Sequence, residues 1–194
     1  MEILCGDIFL RDLGEQDIED IIRWNTNDNE WMDWDAPWEK DEPFDAHNYR
    51  RRKREALATP KEEPSVRREF QIYCGDCHIG WVNAYYIDDN FNYTGTGTGK
   101  LAIGIDICEP AYWNKGIGGR AFAAFIDYLF ANGYEELYTQ TWSGNERMIR
   151  MAERLGFSTC HRDSNVRQVR GQMHDRVTMM ITPNHYRNGK MTNA

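Results

Sequence analysis

Hydrophobic spacing in the first sixty residues predicts one strand and two helices. The stretch DIFLRDL, residues 7–13, alternates as a short strand does. Isoleucines at helical spacing predict an amphipathic helix over Asp17–Trp24, and a charged helix is predicted over His47–Ala58. The segment between them, residues 25–44, is rich in acids and tryptophans and has no clear period. We therefore predict an ordered loop there.

The middle of the chain has the pattern of a hairpin followed by a buried strand. Two apolar runs, FQIYC at residues 70–74 and HIGWVNAYY at residues 78–86, flank the turn residues Gly75 and Asp76. A polar excursion follows over residues 87–99. The continuous apolar run KLAIGIDIC then predicts a strand buried on both faces.

Helices and strands alternate in the last third of the chain. The predicted elements are a helix over Arg120–Phe130, a strand over 136–142, a helix over 143–157, and strands near Ser158–His161 and Met173–Thr182. The full order, β-α-α-β-β-β-α-β-α-β-β, predicts an α/β fold of the mixed α+β kind. We expect a single domain with a central mixed sheet of about seven strands and helices on both faces.

Composition narrows the function classes. The 194 residues, 41% hydrophobic and 28% charged, suit one soluble globular domain. A net charge of −8 disfavours nucleic acid as a partner; the one basic run, YRRRKRE, is interpreted as a solvated helix face or an anion contact. No apolar run approaches the roughly 18 residues that span a bilayer, and the N-terminus lacks a basic signal region. We expect a cytoplasmic protein without a membrane segment.

The cysteines indicate a reducing compartment and not a metal site. Five cysteines form an odd set without framework spacing, which favours the cytosol over secretion. Cys74 and Cys77 have C-x-x-C spacing beside His78, but zinc would need a second ligand pair that the sequence does not supply. We therefore interpret this stretch as a hairpin turn and expect no metal.

Two glycine-rich stretches compete as phosphate loops. TGTGTGK, ending at Lys100, has Thr94 and Leu101 where a nucleotide loop needs glycine and Ser or Thr, and it leads into a strand. The segment NKGIGG instead follows a strand and opens a helix, so free N–H groups and the helix dipole converge on one point beside Lys115. It lacks the third glycine of a dinucleotide fingerprint, because that position is Ala121. We predict a diphosphate held there in another way.

These motifs resemble the GNAT superfamily of N-acetyltransferases. That family's cofactor loop, Q/R-x-x-G-x-G/A, is here WNKGIG, from Trp113 to Gly118, and NERMIRMAERLGF resembles the motif that follows. Trp113 departs from the pattern, in a way similar to the ribosomal-protein (Rim-type) and antibiotic branch. The resemblance implies one N-acetyltransferase domain over 1–194, with an acetyl-CoA core at about 101–157 and acceptor-side elements at about 25–60 and 158–182.

The resemblance implies acetyl-CoA as cosubstrate and a set of residues that would hold it. In the family, the strand before the loop splays from its neighbour and pairs with the pantetheine arm, and the loop amides bind the diphosphate. The residues carried over are Ile105, Ile107 and Cys108 on the strand, Asn114, Lys115, Gly116, Ile117, Gly118 and Gly119 in the loop, and Asn145.

Two catalytic positions depart from the family. Many relatives have a glutamate where this chain has Ala102, so Asp106, on the same strand face, is either the replacement base or a structural acid. Many also have a tyrosine, which protonates the leaving thiolate, where this chain has Ala152. Ser143, Tyr138 or water could serve instead. Cys108 is interpreted as a small buried hydrophobe.

The acceptor is expected at the acidic, tryptophan-rich loop. Carboxylates attract an ammonium, and tryptophan faces offer cation–π contacts of about 0.5–2 kcal/mol. Alternatively the loop is solvated and its tryptophans cap the core. If it binds substrate, the acceptor amine belongs to a polyamine, an aminoglycoside or a basic peptide N-terminus. The alternative hypothesis is a catalytically silent CoA-binding module. Under both hypotheses the protein is expected to be a monomer or a homodimer. The substrate residues expected are Trp31, Asp33, Trp34 and Asp35.

Overall fold

The computed structural model describes residues 1–59 and 66–186. In chain order the elements are β1 (Glu2–Cys5), β2 (Ile8–Arg11), α1 (Asp17–Thr26), α2 (Ala46–Ala58), β3 (Glu69–Cys74), β4 (Cys77–Ile87), β5 (Tyr93–Thr94), β6 (Lys100–Ile107), α3 (Ile117–Ala131), β7 (Leu137–Trp142), α4 (Glu146–Leu155), β8 (Ser158–Val169) and β9 (Gln172–Ile181). Short 3₁₀ helices cover Glu30–Asp33 and Pro110–Tyr112. Among the described helices, none is both long and apolar enough to cross a bilayer.

The mixed α+β class is confirmed, and the strand count is higher than expected. The described chain has a nine-stranded mixed sheet rather than one of about seven. The additions are β1, which pairs with β2, and the two-residue β5, which pairs with β4. Strand β8 also continues to Val169, well past the predicted end at His161. Strands this short, or this polar and exposed, carry too weak a period to be recognised in a sequence.

The chain divides into two compact units. The first comprises Met1–Val82 and Asp106–Ala124, and its strands follow the order β1-β2-β3-β4, with β1 to β3 joined as antiparallel neighbours. The second comprises Asn83–Ile105 and the described residues from Phe125 onward, with the order β4-β6-β7-β9-β8. There β6 and β7 run parallel, while β7, β9 and β8 are antiparallel neighbours.

An aromatic core fills the first unit. Trp24 of α1 is fully buried and packs with Trp31 and Trp81, whose rings meet edge to face at 5.1 Å. A buried charge anchors the start of α1: Asp17 accepts hydrogen bonds from Arg11 at 2.7 Å and from the backbone N–H of Gly14 at 2.7 Å. A buried carboxylate is tolerated because it is paired and hydrogen-bonded. Helix α1 is thus fixed at its start and along its apolar face.

Strands β4 and β6 approach closely at Gly80, and this contact fixes the backbone of Asp106. The N–H of Cys108 donates to the carbonyl of Ile79 at 2.8 Å. A Cβ atom at Gly80 would lie 1.9 Å from the carbonyl oxygen of Asp106 and 3.1 Å from the Cα of Ile107. Both are backbone atoms that cannot move aside independently, so glycine is required here.

Gly80→Ala is therefore expected to destabilise the fold. Overpacking against backbone costs about 1–3 kcal/mol or more, so the urea midpoint should fall with little change in slope. Gly95→Ala is the matched control, since a Cβ there would meet nothing within 4 Å. Equal midpoints for the two variants would contradict the close approach.

Candidate active site

The glycine loop has the backbone of an anion site. Asn114 and Gly116 have φ values of +59° and +73°, and α3 begins at Ile117. Alternating left- and right-handed residues turn successive N–H groups the same way, and the first turn of the helix adds unbonded N–H groups. Lys115 is exposed, with its ammonium 5.7 Å from the ring centre of Tyr112. Donors and positive charge thus converge at the start of α3.

Trp113 has a structural role that accounts for its departure from the family pattern. Its indole Nε1 donates to the carbonyl of Ile107 at 2.7 Å, and the ring packs against the aromatic core of the first unit. The side chain therefore ties the loop to the end of β6. An indole can do this because it combines a large apolar surface with one N–H donor.

In the second unit, the ladder between β6 and β7 opens early. Its register is a single pair, Ala102 with Tyr138, and the Thr139 hydroxyl then donates to the carbonyl of Ile103 at 2.8 Å. Thr141 follows on the same face of β7, and its hydroxyl is buried without a hydrogen-bond partner among the described residues. An orphaned buried hydroxyl is costly, and it fits a strand that meets a polar ligand at this point.

Asp35 and Asp106 form an interacting carboxylate pair. Each is surrounded by protein atoms yet keeps a solvent-accessible surface, Asp35 being exposed and Asp106 half-buried. Loss of hydration, followed by the charge of Glu39, raises the pKa of Asp35 to about 6. Loss of hydration, followed by the charge of Asp35, raises the pKa of Asp106 well above its usual value, and a hydrogen bond from Trp81 opposes this. Water reaches both groups and moderates the repulsion.

Arg23 is the centre of a network of carboxylates. The Arg23 guanidinium bonds to Glu109 at 2.7 Å, to Asp28 at 2.6 Å and to Asp20 at 3.1 Å. Glu109 also accepts from the indole of Trp24 at 2.8 Å. This network joins α1 to the chain directly after β6, and three carboxylates in it share one guanidinium.

The acceptor-loop residues have different roles in the structure. Trp31 is buried and donates to the carbonyl of Trp24 at 2.9 Å, so it belongs to the core. Asp33 forms a salt bridge with Lys40 at 2.6 Å, and Trp34 is half-buried. Asp35 interacts with Asp106, so the loop in part caps the core and in part supplies the carboxylate pair.

The remaining predicted residues of the second unit are engaged locally. The Tyr138 hydroxyl donates to Glu136 at 2.8 Å, and burial, with this bond, raises the pKa of Tyr138, which weakens it as an acid. The Ser143 hydroxyl accepts from the N–H of Asp175 at 3.1 Å and lies 3.3 Å from His174 Nδ1. Asn145 caps α4 by accepting from the N–H of Met148 at 3.1 Å. Ile105 is half-buried on β6.

Cys108 is fully buried in the core of the first unit. Burial and nearby carboxylates, Asp106 first among them, raise the pKa of the Cys108 thiol well above its usual value. A thiol that resists ionisation is a poor nucleophile. The structure therefore agrees with the interpretation of Cys108 as a small hydrophobe.

Sequence reasoning missed four residues that shape the site. Glu109 and Arg23 are ordinary charged residues in the sequence, and their pairing joins segments far apart in the chain. Trp81 follows the period of its strand and carries no signal of its own. The position of Thr141 can be recognised only in the structure, where the ladder between β6 and β7 opens beside it. The missed residues are Arg23, Trp81, Glu109 and Thr141.

The fold and the glycine loop define the class: an α/β protein whose loop has the backbone geometry of an anion site at the start of a helix. Residues 7–158 match the family model described as acetyltransferase (GNAT) domain, and the chain belongs to this family. It is an N-acetyltransferase that uses acetyl-CoA. No curated protein sequence matches the chain.

Solved structures share the fold at low sequence identity. RimL, a ribosomal L7/L12 alpha-N-protein acetyltransferase in complex with CoA, has a TM-score of 0.72 at 14% identity, over 94% of this chain and 98% of that chain. Spermidine N-acetyltransferase from Vibrio cholerae, with CoA and spermine, has a TM-score of 0.71 at 20% identity, over 94% and 99%. The ribosomal-protein-S5-alanine acetyltransferase from Vibrio fischeri has a TM-score of 0.71 at 16% identity, over 96% and 98%.

The residues present fit acetyl-CoA. In the first unit, the loop offers backbone N–H groups and Lys115 to a diphosphate. In the second unit, taken by itself, the buried Thr141 hydroxyl lacks a protein partner within the described chain. Among residues 1–59 and 66–186, no cluster of three or more His, Cys, Asp or Glu side chains could hold a metal ion.

Proposed function

We propose that the protein transfers the acetyl group of acetyl-CoA to a primary amine of a cationic small molecule or a peptide N-terminus. Acetyl-CoA, when bound, supplies the thioester carbonyl that the amine attacks directly. Asp106 takes the proton from the acceptor ammonium, and Asp35 holds that ammonium in place. Loop amides from Asn114 to Gly119, with Lys115, bind the diphosphate.

The observation that carries this proposal is the carboxylate pair. Repulsion from a neighbouring carboxylate contributes to the raised pKa of each group, so both would gain from a cation placed beside them. A bound ammonium lowers the pKa of both groups, and so it favours the carboxylate form of Asp106, which is the form that accepts a proton. A base with a pKa nearer to neutral than ordinary aspartate is better matched to an amine at physiological pH.

The acidic surroundings favour a cationic acceptor. Arg23 is engaged by three carboxylates, and Lys40 is engaged by Asp33. Neither cation is therefore placed to repel an ammonium. Structural neighbours acetylate spermidine or a protein N-terminus according to their names, so both acceptor classes are compatible with the fold. Five free cysteines support a cytoplasmic location.

A catalytically silent CoA-binding module is the second candidate. Ala102 and Ala152 are fully buried and occupy the positions where many relatives have glutamate and tyrosine, so no titratable group stands at either. Consumption of acetyl-CoA and release of free thiol, measured with polyamine, aminoglycoside and peptide panels, separates the two. Tight CoA binding without turnover of any amine would establish the silent module.

Asp35→Asn is expected to raise KM for the best amine while leaving KM for acetyl-CoA unchanged. The variant removes the charge that repels a negative Asp106, so the pKa of Asp106 should fall. The acid limb of kcat/KM against pH should then move to lower pH. Steady-state kinetics across pH, at low and high salt, give both results.

Asp33→Asn is the matched control from the same loop, because Asp33 is paired with Lys40. In this variant, the acid limb of kcat/KM against pH should lie at the same pH as in the wild-type enzyme. If Asp35→Asn and Asp33→Asn have the same kinetics, Asp35 does not hold the acceptor.

A further inference from the structure

The cysteines of the C-x-x-C hairpin are linked through side chains to the residues on either side of the loop Trp113–Gly119. Cys74 ends β3 and Cys77 begins β4, on either side of the turn at Gly75 and Asp76. The Cys74 thiol bonds to the carboxylate of Asp7 at 3.7 Å, and Asp7 forms a salt bridge at 2.5 Å with Arg120 in the first turns of α3. The thiol is therefore linked through Asp7 to Arg120, beside the end of the loop where the helix begins.

The second thiol reaches the other end of the same loop. Cys77 is exposed and is a hydrogen-bond partner of the Tyr112 hydroxyl; this contact is the main cause that raises the pKa of Tyr112 to about 12. Tyr112 directly precedes the loop, and its ring lies 5.7 Å from the ammonium of Lys115. One thiol thus lies beside Tyr112, directly before Trp113–Gly119, and the other is linked through Asp7 to Arg120, directly after it.

The same two thiols are placed to form a disulfide with each other. A two-residue turn keeps the Cα atoms of its flanking residues within about 7 Å, which is the range that a disulfide spans. Cys5 is too far away to be a partner. It lies on β1 opposite Ile8 of β2, and Ile8 lies opposite Cys74 of β3. Two strand spacings place Cys5 roughly 10 Å from Cys74. Both hairpin cysteines are thiols in the structure.

We propose that Cys74 and Cys77 are a redox modification site, whose disulfide weakens acetyl-CoA binding by releasing the loop. The oxidant is a low-molecular-weight disulfide such as oxidised glutathione. The exposed Cys77 thiolate attacks one of its sulfurs and displaces a first thiol. Burial and Asp7 raise the pKa of Cys74, so its minor thiolate form then attacks Cys77 Sγ and displaces the second thiol. Two electrons pass from the cysteine pair to the small disulfide, and the two cysteine protons end on the released thiols.

Disulfide formation removes both thiol contacts. Once bonded to each other, the sulfurs no longer donate to Asp7 or bond to Tyr112, so both ends of the loop lose a support. Loss of one hydrogen bond from a binding loop changes affinity by about tenfold. The effect on CoA rests on the proposed role of the loop, but formation of the disulfide does not.

The test equilibrates the full chain in glutathione buffers from reduced to oxidised, then blocks free thiols with a maleimide and digests with trypsin. The peptide Glu69–Lys100 contains Cys74 and Cys77 and no other cysteine. From the oxidised protein, we expect this peptide to carry no maleimide and to be two hydrogen atoms lighter than the unmodified dithiol peptide. The Kd for CoA should rise about tenfold in parallel.

Two variants make the outcome specific. Cys77→Ser keeps a hydroxyl beside Tyr112 and should make CoA binding insensitive to the buffer; Cys160→Ser, on exposed β8, should respond as the wild type does. Three results would each overturn the proposal. The peptide could carry two maleimides in every buffer, the oxidised protein could bind CoA with an unchanged Kd, or Cys160→Ser could make CoA binding insensitive to oxidation. If the reduced protein does not bind CoA, the assignment of the loop as the cofactor site is wrong. The mass of the tryptic peptide would then still show whether the disulfide forms.

Discussion

Asp106→Asn is expected to lower kcat/KM for the best amine by about 10²- to 10⁴-fold, the usual contribution of a positioned base. Asparagine matches the size of aspartate but accepts no proton at neutral pH. Because the pKa of Asp106 is raised by burial and by Asp35, the wild-type acid limb should lie well above the ordinary aspartate range near about 3.9. Initial rates across pH measure both quantities.

The control is CoA binding by the same variant. Asp106 lies on β6 and not in the glycine loop, so the rise in melting temperature with CoA should match that of the wild type. Full turnover by Asp106→Asn would rule out Asp106 as the base. Loss of the CoA-dependent rise would point to a structural effect instead.

Gly118→Asp should abolish stabilisation by CoA. The substitution places a carboxylate among the N–H groups where the diphosphate is expected. Saturation at a hundred times Kd stabilises the wild type by about 2.7 kcal/mol, and all of this should be lost. The unliganded variant should be as stable as the wild type or slightly more so, since an acid in the first turn of α3 favours the helix dipole. Thermal melting with and without CoA shows both effects.

Gly118→Asn adds nearly the same volume without charge, so it should retain more of the CoA-dependent rise than Gly118→Asp does. Equal losses in the two variants would assign the effect to crowding. A wild-type rise in Gly118→Asp would contradict the placement of the diphosphate at this loop.

The class of fold and the glycine loop could be predicted because both depend on local signals. The spacing of the apolar residues predicts α4, and in the structure the helix ends at Gly156, whose φ is +101°. The start of α3 was set too late, at Arg120 rather than Ile117, because glycines in a first turn obscure the helical period. The polar half of β8 lies on an exposed strand, where no buried face marks the pattern.

The carboxylate pair could not be predicted from local patterns. Asp106 was singled out by its place on the strand and Asp35 by the composition of its loop, but nothing in the sequence relates them. Their interaction depends on tertiary packing of the tryptophan core beneath the loop. For the same reason Trp31 was expected at the substrate and is found in the core.

The raised pKa of Asp106 also couples proton binding to folding, in opposition to catalysis. Between the unfolded value near about 3.9 and the higher folded value, the folded chain binds more protons than the unfolded chain. The free energy of unfolding contributed by this group is therefore largest at acid pH and declines as pH rises through that interval. The same deprotonation creates the base. Ionisation of Asp106 thus makes the catalytically active form of the protein less stable than the protonated form. Binding of a cationic substrate would restore the free energy of unfolding that ionisation removes.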